Sequence, residues 1–126
     1  MNRSTATKQV KQEPTGEFVD VEILYDPSKP ESERIIQVKP AIFMISKRNC
    51  EQVHWHSRNK NDSLPPPEFT IDFAKNGSPF YETQFNHENP FSGQVRRSVL
   101  PDERKIYDYT IRIEQTTLDP GGGVRA

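Results

Sequence analysis

Apolar and polar side chains alternate along the clearest segments of this 126-residue chain, and this period of two constrains its fold more than any other feature. The strongest examples are residues 19–25 and 107–113, in which nearly every second residue is apolar. Alternation of this kind is typical of a strand with one buried face. No long stretch has helical spacing, and eleven prolines interrupt most segments in which a helix could form. The chain is therefore predicted to be all-β.

Further strands are predicted on both sides of Pro40 and over 51–56 and 69–73. Pro40 cannot donate to a strand ladder, so it is expected at an edge, a bulge or a corner. Asn76-Gly77 predicts a type I′ hairpin that joins 69–73 to 80–85. Seven or eight short strands with regular turn signals predict an antiparallel β-sandwich.

The two ends of the chain differ in composition from its middle. Residues 1–17 are rich in Lys, Gln, Thr and Ser, and they cannot bury enough apolar area to offset the entropy of ordering. They are predicted to form a flexible polar N-terminal tail. Residues 119–126, Asp-Pro-Gly-Gly-Gly-Val-Arg-Ala, are predicted to form a flexible C-terminal tail. The sandwich domain is expected to cover 18–118.

Composition narrows the function classes. The 17 basic and 18 acidic side chains give a net charge of -1, which disfavours the broad basic surface that sequence-independent nucleic-acid binding needs. No apolar run has the length of a membrane span, and the N-terminal residues lack the apolar core of a secretion signal. Cys50 is the only cysteine, so no internal disulfide can form. A chain without disulfides suits a reducing compartment, so we predict a cytoplasmic location.

Several short motifs resemble those of a known group. The succession Val53-His54-Trp55, then 69–73 with Ser78-Pro79-Phe80, then 107–111 before Asp119-Pro120, resembles small bacterial proteins described as cupredoxin-like or immunoglobulin-like sandwiches.

The resemblance implies a fold rather than a metal chemistry. Copper cupredoxins bind their metal through an early His together with a Cys, a His and usually a Met in the loop before the last strand. The corresponding loop here, 100–105, contains none of these three residue types. A blue-copper centre is therefore not expected, and no cofactor is predicted.

Three histidines are candidate metal ligands. His54 and His56 are two apart on a predicted strand, so both could reach one ion, with His87 as a third ligand. Such a site with an open position could activate water. Because the apolar Val53 and Trp55 are expected to face the core, the two histidines on the opposite side of the strand are expected to face solvent. We predict no metal site, and a metal-dependent enzyme or metal-binding protein that uses these histidines stays the alternative function.

The aromatic residues Phe80, Tyr81, Phe85 and Phe91 lie among turns, and an exposed aromatic cluster is typical of a partner site. We therefore predict a non-enzymatic protein-interaction or assembly module. It is expected to dock with a protein partner, or with a second copy of itself, through an exposed strand edge or through these four aromatic residues.

A third function class stays open. Arg96, Arg97, Arg104 and Lys105 could form a local basic patch, although such residues more often form a solvated sheet face. Single-stranded nucleic acid or a glycan could then stack on nearby aromatic rings. The sequence does not indicate a small-molecule ligand.

Overall fold

Ten strands and one short 3-10 helix make up the computed structural model, which describes residues 17–126. No α-helix occurs within this range, and the all-β prediction is confirmed. The predicted N-terminal tail lies, apart from Glu17, outside the described residues. The strands are β1 (Phe18–Tyr25), β2 (Ile36–Lys39), β3 (Ile42–Ser46), β4 (Gln52–Asn59), β5 (Thr70–Asp72), β6 (Gln84–Asn86), β7 (Asp102–Asp108), β8 (Thr110–Ile113), β9 (Thr116–Leu118) and β10 (Gly121–Arg125). The 3-10 helix is Glu31–Glu33.

The strands form three sheets, with the orders β2-β1-β4, β3-β10-β7 and β6-β5-β8-β9. Two neighbouring pairs, β1 with β4 and β10 with β3, are parallel. The predicted purely antiparallel arrangement of seven or eight strands is therefore wrong. Parallel neighbours need long crossovers, and here β2 and β3 lie between β1 and β4 in the chain, whereas β4 to β9 lie between β3 and β10.

The core is aromatic and centres on Trp55, which is fully buried. Its ring centroid lies 5.2 Å from that of Phe85 and 5.8 Å from that of Tyr109. The indole nitrogen donates to the hydroxyl of Tyr109 at 3.3 Å. Burial raises the pKa of Tyr109 to about 12. The alternation of β1 is confirmed, because Val21 and Ile23 are fully buried among these core residues.

Pro40 lies at a corner, as the sequence predicts. The strand before it, β2, pairs with β1, whereas the strand after it, β3, pairs with β10 in another sheet. The predicted strand over 107–113 is also divided between two sheets. β7 pairs with β10, β8 pairs with β5, and the buried Tyr109 lies between them.

Asn76-Gly77 does not form the predicted type I′ hairpin. β5 and β6 do pair antiparallel, but residues 73–83 connect them, and only Gly77 of the two turn residues has a positive φ. The connection is long because it packs into the core. Ser78 Oγ accepts a hydrogen bond from the amide of Phe80 at 3.0 Å, and the ring of Phe80 is 1% exposed.

The predicted flexible C-terminal tail is wrong. Residues 121–125 form β10, the central strand of its sheet, and four of these five residues are buried. The glycines are needed for close packing. A Cβ atom at Gly122 would lie 2.1 Å from the ring of Phe43, and one at Gly121 would lie 2.5 Å from the side chain of Ile106. A glycine-rich segment therefore forms a strand here because neighbouring side chains occupy the space that its own would need.

Among the described residues, no helix has the length and apolar character required to cross a membrane.

Candidate functional site

The four aromatic residues predicted as a partner site do not form one surface. Phe80 and Phe85 are 1% and 4% exposed and belong to the core. Tyr81 is 68% exposed, and its hydroxyl accepts a hydrogen bond from the amide of Arg97 at 3.1 Å. Phe91 is partly buried on the outside of β4, where its ring packs 4.6 Å from that of His54. The partner-site interpretation fails because Phe80 and Phe85 both point into the core.

The three histidines are not brought together. His54 and His56 are neighbours on the outer face of β4, with ring centroids 5.6 Å apart. His87 lies beside Phe69 and places its Nε2 atom 3.9 Å from the Glu68 carboxylate. Within residues 17–126, no group of three or more His, Cys, Asp or Glu side chains is arranged to hold a metal ion.

One residue of the predicted basic patch, Arg96, has a structural role. The Arg96 guanidinium donates to the carbonyl of Ser78 at 2.8 Å and 3.2 Å, which ties two loops together. The Arg104 side chain is 93% exposed, and the ammonium of Lys105 lies 4.9 Å from the Tyr107 ring centroid. These contacts leave separate cations rather than a platform with neighbouring exposed rings.

β7 is an edge strand whose residues are mostly exposed, and its geometry disfavours pairing with another strand. Its register with β10 shifts between Gly122 and Val124, so the middle of β7 bulges away from the sheet. Asp102 Oδ1 accepts a hydrogen bond from the amide of Arg104 at 3.0 Å, and this bond lowers the pKa of Asp102. Bulges and charged side chains are the usual means by which proteins protect an edge.

A groove with a volume of about 640 Å³ lies where several strands begin or end. We call it the end groove. β1 and β4 are parallel with Tyr25 opposite Asn59, so both strands end there. β5 begins there and β8 ends there. The groove is lined by Tyr25, Pro27, Asn59, Leu64, Pro65, Pro66, Pro67, Glu68, Phe69, Thr70, Asn86, His87, Arg112, Ile113 and Glu114.

The three consecutive prolines of the groove wall are fixed by β4. Prolines have no amide hydrogen, so only their carbonyls can anchor them. Ser57 Oγ donates to the carbonyl of Pro67 at 2.6 Å, and the Asn59 side-chain amide donates to the carbonyl of Pro65. A segment with restricted φ angles and two such bonds is a stiff wall. It presents apolar ring surface without an ordering cost when a ligand arrives.

Asn59 also carries a hydrogen-bond acceptor that nothing satisfies. The residue is 6% exposed, and its Oδ1 atom has no hydrogen-bond partner among the described residues. An unpaired buried carbonyl costs about 1–3 kcal/mol, so proteins seldom keep one without a reason. Asn59 lines the end groove, but its Oδ1 atom is buried away from the groove surface.

A carboxylate network holds the far side of the groove. Glu114, at the tip of the β8–β9 hairpin, has a left-handed φ of 54°, which is strained for a residue with a side chain. Its Oε1 accepts hydrogen bonds from the Tyr25 hydroxyl and from Arg34 Nη1, both at 2.8 Å. Arg34 also donates to the carbonyls of Lys29 and Pro27 at 2.9 Å and 3.0 Å. The hydrogen bond from Tyr25 and the charged hydrogen bond from Arg34 keep the strained hairpin tip in place.

The groove combines apolar walls with charged groups at its rim. Leu64, Pro66 and Ile113 contribute to its walls, and its charged groups lie at exposed positions. Glu114 is paired with Arg34, and Glu68 with His87. Apolar walls with a few polar groups are the usual form of a binding pocket.

Sequence reasoning missed this site, although one signal was present. Residues 53, 55, 57 and 59 share the inner face of β4, so Asn59 is a polar residue at a core-facing position. Three consecutive prolines by themselves indicate only an extended surface loop. Nothing local distinguishes Tyr25 or Glu114, which are 89 residues apart and meet only in the fold.

The chain matches no protein-family model, no curated protein and no solved structure.

Proposed function

We propose that this protein is a non-enzymatic interaction module whose end groove receives an extended segment of a partner protein. The observation that carries the proposal is the triproline wall of the end groove, which β4 anchors through the carbonyls of Pro65 and Pro67. The two docking surfaces expected from the sequence have less support. The aromatic cluster is divided between core and surface, and the edge of β7 is bulged and charged.

The chemistry of the groove defines the segment that it would bind. An aliphatic or aromatic side chain fits between the proline rings and Ile113, and its burial contributes about 1.5–3 kcal/mol. Arg112 is exposed at the groove and attracts an acidic residue that flanks the apolar one.

The test uses a displayed library of short random peptides selected on the full chain. The affinity of a recovered peptide is then compared between the wild type and Leu64→Asp, which puts a carboxylate on the groove wall. Leu64 is 41% exposed, so the substitution is expected to leave the fold intact. Loss of the apolar contact and the cost of desolvating the new charge predict at least about tenfold weaker binding.

Leu100→Asp is the matched control, because it makes the same substitution at a side chain that is 80% exposed and outside the groove. This variant should bind the peptide as the wild type does. The proposal is overturned if no peptide is recovered or if both variants weaken binding equally. Sedimentation of the wild type as a dimer that Leu64→Asp does not affect would instead favour self-assembly.

The broader expectations from the sequence belong to the same proposal. A binding module needs no reaction centre, and one exposed cysteine is compatible with the cytoplasm. The sandwich of cupredoxin-like or immunoglobulin-like type is proposed as its architectural class. In such folds the loops at one end of the sheets commonly carry the binding site.

A further inference from the structure

The outer face of the β1–β4 pair carries an acidic residue opposite each of two histidines. In the parallel register, Asp20 lies opposite His54 and Glu22 lies opposite His56. His54 Nδ1 is 3.3 Å from Asp20 Oδ1. A carboxylate can only accept, so this contact places the ring proton on Nδ1 and leaves the lone pair of Nε2 free.

Two aromatic rings fix the orientation of the His54 imidazole. Phe91 stacks on it with a centroid separation of 4.6 Å and an interplanar angle of 14°. The ring of Phe18 meets it edge-on at 6.2 Å. The side chain of His54 is still 31% exposed, so a small ion can approach it.

The spacing of the two imidazoles suits a shared ion. Two rings bound to one ion at the usual metal–nitrogen distance have centroids about 5.2 Å apart when the ion is tetrahedral and about 4.5 Å apart at neighbouring positions of a square-planar ion. The centroids of His54 and His56 are 5.6 Å apart. A shared ion therefore requires the His56 ring to turn a nitrogen toward the ion that His54 Nε2 binds.

We propose that His54 and His56 bind one divalent transition-metal ion of the copper, nickel and zinc group, with Asp20 holding His54 in the tautomer that binds metal. Imidazole suits these three ions, and Cu²⁺ is expected to bind most tightly. Water completes the coordination, because no third protein ligand within the described residues is arranged for it. The binding is therefore exchangeable. His87 takes no part, since it lies beside Glu68 in the end groove.

Arg58 keeps a potential third ligand away from this site. Its Nε atom lies 3.3 Å from Glu22 Oε2, and its Nη1 atom lies 3.1 Å from Asp62. Removal of the guanidinium frees Glu22 to turn toward an ion on the neighbouring His56. Arg58→Gln is thus expected to tighten metal binding, and the double variant with Glu22→Gln is expected to lose the gain.

The experiment is a titration of the full chain with Cu²⁺, followed by calorimetry and by electron paramagnetic resonance. All variants carry Cys50→Ser, because this exposed thiol would otherwise bind or reduce the ion. One ion per chain with two nitrogen ligands is expected. His54→Ala and His56→Ala should each weaken binding at least about tenfold, and Asp20→Asn should weaken it by about tenfold.

His87→Ala is the matched control and should leave the affinity and the spectrum unchanged. Lys60→Gln is the control for Arg58→Gln, because it removes a nearby positive charge that does not hold Glu22. The proposal is overturned if His87→Ala weakens binding as much as His54→Ala does, or if the resonance spectrum shows fewer than two nitrogens. An unchanged affinity in Asp20→Asn would overturn the role of that carboxylate. Circular dichroism of each variant verifies that the fold is retained.

Discussion

Substitution of Gly122 by alanine tests whether the C-terminal glycines form a packed central strand. A Cβ atom at this position would lie 2.1, 2.2 and 2.4 Å from three atoms of the Phe43 ring. Phe43 is fully buried, and its ring lies 5.8 Å from that of Tyr109 and 6.3 Å from that of Trp55. The ring has no free space into which it could move.

The expected cost of Gly122→Ala is about 1–3 kcal/mol or more, the usual range for overpacking a core. Alanine at the two neighbouring glycines should cost less. The obstacle at Gly121 is the end of the Ile106 side chain, which is 40% exposed, and the obstacle at Gly123 is the flexible end of Met44. Both side chains can move aside by rotation.

Urea denaturation of the three single variants measures these differences directly. We expect Gly122→Ala to lower the free energy of unfolding most. Combining it with Phe43→Leu should cost less than the sum of the two single changes, because the smaller side chain leaves room for the new methyl group. In a flexible tail, all three alanine variants would match the wild type within about 0.5 kcal/mol. Equal stabilities of this kind would refute the packing described here.

Two further substitutions test buried polar groups of the core. The pKa of Tyr109 is raised from 10.0 to about 12, so the folded state holds this proton more tightly than the unfolded state does. The resulting stability, of the order of 2–3 kcal/mol, is complete below pH 10 and is lost as the pH rises from about 10 to about 12. Measured by urea unfolding, the free energy of unfolding of Tyr109→Phe should fall less than that of the wild type across that pH interval. An identical fall would contradict this explanation. Ser92→Ala removes the hydroxyl that accepts a hydrogen bond from the buried amide of Val53 at 2.8 Å, and it should lower the free energy of unfolding by about 1–3 kcal/mol. In the same assay, Ser98→Ala at an exposed position should change it by nearly nothing.

The sequence predicted the strands whose alternation is regular and local. β1 was predicted close to its bounds, the prediction over 51–56 covered only the first part of β4, and Val21 and Trp55 face the core as expected. The corner at Pro40 was also predictable, because a missing amide donor is a property of the residue itself.

The wrong predictions concern segments whose structure is determined by tertiary packing rather than by the local sequence. A run of three glycines suggests a flexible segment, and only the ring of Phe43 explains why it is a strand. The aromatic residues of 78–92 carry no local signal that separates buried Phe80 from exposed Tyr81. The end groove joins the ends of β1, β4 and β8 with a proline loop, and its residues are distant in sequence. Ser57 and Asn59, two polar residues on the inner face of β4, could have indicated it.

Mapping of backbone amide and carbon chemical shifts tests the central claim, that a partner segment binds in the end groove. Carbon shifts are needed because the amide spectrum does not report Pro65, Pro66 and Pro67. When a selected peptide is added to the full chain, the largest changes are predicted in 64–69 and 112–114. Changes confined to Tyr81 or to the edge of β7, with the groove residues unmoved, would contradict the account.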